Sequence, residues 1–159
     1  MKRGLLMVLV AGGIFLAAGT AMAQAVGPLS FYSISPCRIL DTRGPNGPVG
    51  GPALNAGASR GFPVVGYCNI PSTARVVSLN VTFVQPTTDG YLTIWPYYTG
   101  FPGTSNINAA AWTPAIANAV ITPLTLNPPD GSGNNIYIVF GTAAPGTAHV
   151  IVDINGYYQ

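Results

Sequence analysis

The chain has 159 residues, of which only six are Lys or Arg and four are Asp or Glu, giving a formal net charge of +2. Lys2 and Arg3 account for this excess, so the rest of the chain is formally neutral and contains neither Lys nor Glu. Nucleic acids and anionic membrane surfaces are bound through basic patches or stripes, so the composition argues against both as partners.

Residues 1–23 have the pattern of a secretory signal peptide. A Lys-Arg pair is followed by an apolar run over residues 5–18 and by the small-x-small sequence Ala-Met-Ala at residues 21–23. The run is too short for a permanent membrane span, and no later stretch approaches about 18 consecutive apolar residues. We therefore expect cleavage after residue 23, a secreted, extracellular or cell-envelope location, and a single domain over residues 24–159.

The exported part shows no helical periodicity. The chain contains 20 Gly and 15 Pro residues, and the segments between them are rich in β-branched and aromatic residues. The predicted strands are residues 31–34, 38–41, 60–65, 75–84, 90–95, 106–109, 119–126, 136–140 and 149–154. The clearest is 75–84, where apolar and polar side chains alternate. The pattern favours an all-β fold, a single antiparallel β-sandwich or jelly roll of about eight or nine strands, with a closed β-barrel as the alternative.

Two Asp-Gly pairs, Asp89-Gly90 and Asp130-Gly131, lie between apolar segments. Asp-Gly in this position is typical of a tight β-hairpin turn. We therefore interpret both aspartates as structural.

Cys37 and Cys68 are the only cysteines, and both lie in the exported part. An oxidising compartment favours their pairing, so the sequence predicts a disulfide. Closing a loop of about 30 residues would stabilise the fold by roughly 3.5 kcal/mol in the chain-entropy model. A zinc site or a nucleophilic thiol is the alternative, but His149 is the only histidine. We expect no metal and no other cofactor.

Arg38, Asp41, Arg43 and Asp153 form the most conspicuous polar set. Asp41 and Arg43 are two residues apart and share a face if they lie on a strand. Asp153 lies in an apolar strand, where an unpaired charge is costly. We predict a structural ion network in which Asp153 binds a buried guanidinium, of Arg38 or Arg43, and ties the first strand to the last. A sugar or calcium site is the functional alternative, although the arginines oppose a cation.

Catalysis is the function that the residues favour least. Glycoside hydrolysis usually needs two carboxylates beside the scissile bond, and turns and arginines account for all four aspartates. His149 and Asp153 would share a face of a strand but stand about 13 Å apart along it, which leaves no recognisable triad. We predict no catalytic residues.

The segment 95–102 is dense in aromatic residues and contains the Pro and Gly of a loop. Planar side chains on a loop can stack on sugar rings, while nearby Asn and Thr supply hydrogen bonds. The candidate binding residues are Tyr97, Tyr98 and Phe101, with Trp112 following. We expect the first three to point outward and to contact a glycan or a neighbouring copy of the chain.

Several motifs together resemble an uncharacterised β-rich domain of secreted and cell-surface bacterial proteins. The motifs are PCRILDTR at residues 36–43, CNIP at 68–71, LNVT at 79–82, GYLTIWP at 90–96, SNIN at 105–108 and HVIVDINGYY at 149–158. The sequence departs from that pattern where CNIP replaces CGVP and where AWTP, at 111–114, replaces a more polar Gly-Gln-Thr stretch. The resemblance implies an exported accessory domain and brings no catalytic residues.

These observations predict a non-catalytic binding or assembly module at the cell surface or in the extracellular matrix. The two alternatives are a glycan-binding accessory domain and a self-associating structural subunit. The expected partner is a glycan or a protein at the cell surface, which includes another copy of the chain.

Overall fold

The computed structural model describes residues 27–159, so the predicted signal peptide lies outside the described residues. The described part of the chain forms nine strands. They are β1 (Phe31–Asp41), β2 (Leu54–Asn55), β3 (Ser59–Phe62), β4 (Val76–Val84), β5 (Gly90–Pro96), β6 (Ile107–Ala109), β7 (Ile116–Pro123), β8 (Ile136–Gly141) and β9 (Thr147–Tyr158). Within residues 27–159, no helix is long and apolar enough to cross a membrane.

The strands form two antiparallel sheets. The first has the order β1-β9-β4-β7, with the short β2 also paired to β9, and the second has the order β3-β8-β5-β6. The two sheets do not close into a barrel. The prediction of an all-β sandwich is therefore confirmed, and the barrel alternative is wrong.

The core lies between the two sheets and follows from alternation along the strands. In β4, Val77, Leu79, Val81 and Phe83 are fully buried, while the residues between them lie on the outer face. The Phe83 ring meets that of Phe140, from β8 of the other sheet, with 5.5 Å between centroids. Burying each such side chain stabilises the fold by about 1.5–3 kcal/mol, so β4 contributes strongly to holding the sheets together.

The two Asp-Gly turns carry the chain from one sheet to the other. β4 and β5 lie in different sheets, and so do β7 and β8, so the hairpin prediction is wrong at both places. The aspartates are nevertheless structural: Asp89 Oδ1 accepts a hydrogen bond from the Ala111 amide, and Asp130 Oδ1 accepts one from the Ser132 amide. Turn chemistry is local, and it does not specify which sheet the next strand joins.

The first and last strands lie side by side. β1 pairs with β9 from Phe31, opposite Tyr158, to Asp41, opposite Ile151. Cys37 of β1 is bonded to Cys68, in the connection between β3 and β4, with 6.0 Å between the Cα atoms. The predicted disulfide is therefore confirmed, and it ties the edge strand β1 to the body of the sandwich.

Candidate functional site

The outer face of the four-stranded sheet carries a row of aromatic rings, which we call the aromatic face. It comprises Tyr91 and Trp95 of β5, Tyr137 of β8, and Tyr97, Tyr98 and Phe101 of the loop after β5. The β5–β8 register places Trp95 opposite Tyr137. Ile94 before Trp95, and Ile136 and Ile138 on either side of Tyr137, face the core, so alternation turns both rings outward.

Five of these rings are in continuous contact. Their centroid separations are 5.5 Å for Phe101–Trp95, 5.3 Å for Trp95–Tyr137, 4.3 Å for Tyr137–Tyr97 and 6.0 Å for Tyr97–Tyr98. Aromatic pairs at such distances contribute about 0.5–1.5 kcal/mol beyond their burial. The middle of the row is packed, whereas Phe101 at one end and Tyr98 at the other are exposed. The face thus presents two supported but accessible rings.

Tyr97 does not point into solvent, so the expectation of an outward side chain is wrong for this residue. It is only 8% exposed, because its ring lies over Gly61 of β3, where a Cβ would collide with it. Its hydroxyl donates a 2.7 Å hydrogen bond to Asp130 Oδ2, and this bond lowers the pKa of the Asp130 carboxyl. Tyr97 therefore fixes the loop in place, while Tyr98 and Phe101 are exposed as expected.

A groove lies between Phe101 and the Tyr91 ring. Tyr91 rests on Gly141 of β8, where a methyl group would overlap its ring. The groove has a volume of about 290 Å³. Its floor is Val139 and Gly141, and the hydroxyl residues Ser59 and Thr142 also line it. None of the residues of the described chain that line the groove is charged, so two rings, an apolar floor and hydroxyl groups define its chemistry.

The groove depends on three residues that the sequence pattern does not single out. It predicts a strand for Tyr91 and no role for Gly61 or Gly141. A glycine inside or at the end of a strand often marks a close approach by another group, so these two glycines were the available signal.

Trp112 lies apart from the aromatic face. It belongs to the connection between β6 and β7 and is 69% exposed. Its backbone has a φ of 61°, in the left-handed region, and its amide donates a 2.7 Å hydrogen bond to the Pro86 carbonyl. Its ring contacts no other aromatic ring of residues 27–159. The structure therefore does not join Trp112 to the other three predicted binding residues.

The predicted ion network forms on the outer face of the five-stranded sheet. Arg38 donates to both carboxylate oxygens of Asp153, from Nε at 2.8 Å and from Nη2 at 3.2 Å. Arg43 binds Asp41 instead, from Nη2 at 2.7 Å and Nε at 2.9 Å. Since Arg38 and Asp153 face each other across β1 and β9, this pair links the first strand to the last.

The network is not buried, contrary to expectation. The Arg38 side chain is 52% exposed and that of Asp153 is 25% exposed, because no further strand of residues 27–159 covers this face of the sheet. The hydrogen bonds from Arg43 lower the pKa of Asp41 to about 2. Both carboxylates are therefore engaged by arginines in a solvated setting.

His149 has a structural contact. Its Nδ1 lies 3.1 Å from Thr42 Oγ1, and the same hydroxyl oxygen accepts a hydrogen bond from the Val150 amide. Within residues 27–159 there is no group of three or more His, Cys, Asp or Glu residues that could hold a metal ion.

Comparison with known proteins does not assign the chain to a family. No family model matches the chain, and no curated protein does. Among solved structures, the chain is similar to the coat protein of Tobacco streak virus, in a structure of the coat protein dimer, at 11% identity and a TM-score of 0.36. The match covers 82% of this chain and 88% of that one. A likeness of this size carries no argument about function, and the resemblance drawn from the motifs stays a prediction.

Proposed function

We propose that the chain is an exported, non-catalytic binding module that holds a neutral glycan on the aromatic face. The observation that carries the proposal is the groove between Tyr91 and Phe101. Phe101 is 53% exposed although its ring packs edge-to-face with that of Trp95. An exposed ring in a fixed orientation loses little conformational freedom on binding, which is what a stacking site requires.

The chemistry of the groove fits a sugar ring. Aromatic faces pack against the C–H surface of a sugar, and Ser59 and Thr142 offer hydroxyl groups as donors and acceptors for the sugar hydroxyls. The volume of about 290 Å³ lies at the lower end of the range for small-ligand sites, which suits one unit of a longer chain. A lining without charge favours a neutral ligand.

The described carboxylates support binding rather than hydrolysis. Asp41 and Asp153 bind arginines, Asp130 accepts the Tyr97 hydroxyl, and Asp89 accepts a backbone amide. A hydrolytic pair would have to release two of these structural bonds. The disulfide between Cys37 and Cys68 supports export, because such bonds persist in oxidising compartments.

The test uses the protein beginning at residue 24 and affinity electrophoresis in gels that contain a soluble neutral glucan, xylan or mannan. We expect at least one of these to retard the protein, and Phe101→Ala to weaken that retardation about tenfold or more while costing no more stability than the lost contact with Trp95, about 0.5–1.5 kcal/mol. Trp112→Ala is the matched control, because it removes an exposed aromatic ring away from the groove. Retardation by no neutral polysaccharide, or equal retardation of the Phe101 variant, would contradict the proposal.

Self-association is the second candidate, and the edge strand β7 favours it. Among the described strands, β7 pairs only with β4; it carries no charged residue and exposes Ile116 and Ile121, the latter by 63%. Long apolar edges that lack charges are available for pairing with a strand of another molecule. Sedimentation velocity over a range of concentrations tests this candidate. Ile121→Lys should shift the protein towards monomer, and a wild-type chain that stays monomeric at every concentration would exclude it.

A further inference from the structure

A second, larger cleft lies beyond the start of β8. Its volume is about 740 Å³, well within the range of small-molecule sites. Its polar lining includes Arg75, Ser72 and Asn127, and its apolar lining includes Val65, Leu126 and Pro128. None of these residues lines the groove of the aromatic face. A ligand in the cleft would therefore be recognised independently of the proposed glycan site.

Arg75 is the one arginine of residues 27–159 without an assigned partner. Arg38 and Arg43 bind aspartates. Arg60 donates to three backbone carbonyl oxygens, those of Gly47, Gly51 and Pro52, at distances of 2.7, 3.0 and 2.8 Å respectively. The Arg75 side chain makes no hydrogen bond or ion pair within the described chain, although it lines a cleft of small-molecule size. Its guanidinium is available to an anion.

The surroundings of Arg75 limit the charge of that anion. Among residues 27–159 no second cation lines the cleft, so a polyanion such as a nucleic acid would remain mostly unneutralised there. The acid in the lining loop is Asp130, and its two oxygens are taken by the Tyr97 hydroxyl and the Ser132 amide. A guanidinium fork matches a single carboxylate, with two parallel hydrogen bonds.

The rest of the lining indicates what carries the carboxylate. The Ser72 hydroxyl and the Asn127 amide suit a ligand rich in hydroxyl groups, and the apolar residues suit the C–H face of a ring. Asn135 also lines the cleft, but its side-chain amide is already bonded to the Val64 and Val65 amides and to the Thr125 carbonyl. It therefore contributes to the wall of the cleft and does not bind the ligand.

We propose that this cleft binds a sugar acid through its carboxylate, with Arg75 as the residue that binds the anion. A free sugar acid and a uronate unit on a polysaccharide share this chemistry. The cleft would give the chain a second specificity, for acidic sugars, beside the neutral groove.

Isothermal titration calorimetry of the protein from residue 24 tests the proposal with a matched pair of ligands. One is a xylo-oligosaccharide that carries a single glucuronate, and the other is the undecorated oligosaccharide of the same length. We expect the acidic ligand to bind more tightly, with an affinity that falls as salt is added. Arg75→Gln should weaken this binding about tenfold or more, since it removes a charge-assisted bidentate contact. Arg43→Gln, which loses the same charge elsewhere, should leave it unchanged.

Free glucuronate and glutarate complete the experiment. Equal affinity for free glucuronate and for the acidic oligosaccharide would assign the cleft to a free sugar acid, and tighter binding of the oligosaccharide would assign it to a polysaccharide unit. Equal binding of glutarate, which has carboxylates but no ring hydroxyls, would overturn the assignment to a sugar. Equal affinity for the two matched ligands, or an Arg75→Gln variant that binds as wild type does, would overturn the role of Arg75. Repeating both titrations in the Phe101→Ala variant removes any binding of the xylose chain in the groove; the preference for the acidic ligand should persist there, so the two sites can fail separately.

Discussion

Asn135 is a buried polar residue on which the junction of β3, β8 and the segment before β8 depends. It is 3% exposed. Its Oδ1 accepts hydrogen bonds from the amides of Val64 at 2.7 Å and Val65 at 2.9 Å, and its Nδ2 donates to the Thr125 carbonyl at 2.8 Å. Asn135→Ala would remove all three bonds at once.

The magnitude of the loss follows from the burial of the groups left behind. Val64 is fully buried, so its amide cannot bond to water instead. A buried donor or acceptor without a partner costs about 1–3 kcal/mol. The Val65 amide and the Thr125 carbonyl are only partly buried and would recover part of their hydration. We therefore expect a total loss of about 3 kcal/mol, which in a domain of this size lowers the melting temperature by roughly 10 °C.

Differential scanning calorimetry and urea unfolding followed by circular dichroism would measure this effect. Asn134→Ala is the matched control, because the neighbouring side chain makes no hydrogen bond within the described chain; it should change the melting temperature by about 2 °C at most. A loss below about 1 kcal/mol in the Asn135 variant would refute the reasoning, since it would show that water reaches the Val64 amide.

Three further predictions concern the outer faces of the sheets. Asp153→Asn should cost about 1 kcal/mol or less in urea unfolding, because its ion pair is solvated; a loss above about 3 kcal/mol would show a buried pair. The pKa of Asp41 is lowered from 3.8 to about 2 by its bond to Arg43, so this carboxylate stabilises the fold above its unfolded pKa and the stability is lost as the pH falls towards 2. In the Asp41→Asn variant, the urea concentration at the unfolding midpoint should therefore fall less steeply than in the wild type as the pH decreases from 3.8 to about 2. An unchanged slope would contradict the assignment. Gly141→Ala should displace the tyrosine ring above it and abolish glycan retardation, whereas Gly100→Ala, with open space around it, should not; normal retardation of the first variant would show that the groove is not the site.

Strands with alternating side chains could be predicted closely from the sequence. Alternation predicts β4 over residues 75–84, and the strand spans Val76–Val84. The agreement is close because the alternation of apolar and polar residues within the strand determines which side chains are buried. β7 was expected over 119–126 and spans Ile116–Pro123. Its alanine-rich first half has little intrinsic strand preference, and pairing with β4 places it in the sheet.

Two other differences have tertiary causes. The separate predictions for residues 31–34 and 38–41 merge into β1, because irregularities in register let the strand continue past Ser35 and Pro36. β2 was missed because it has only two residues and exists only through its pairing with β9.

The candidate site was predictable in its residue types but not in its arrangement. The aromatic density of residues 95–102 did identify the loop that carries Phe101. Which ring is covered depends on Gly61 and Gly141, which lie far away in sequence and make room for Tyr97 and Tyr91. The local sequence pattern does not show contacts between residues so far apart in the chain. It therefore could not distinguish the packed ring of Tyr97 from the exposed ring of Phe101.

The pairing of β1 with β9 determines how the domain would respond to mechanical load. The backbone of Ser30 exchanges hydrogen bonds with that of Gln159, so a force applied through these two residues pulls adjacent antiparallel strands apart from one end. In this geometry the hydrogen bonds break one pair at a time instead of all together in shear. The disulfide at Cys37 bears the tension once the first six residues of β1 have peeled away, because Cys68 lies in the body of the sandwich. Peeling of β1 would therefore stop after a short, defined length, and further extension would require β9 to separate from β4.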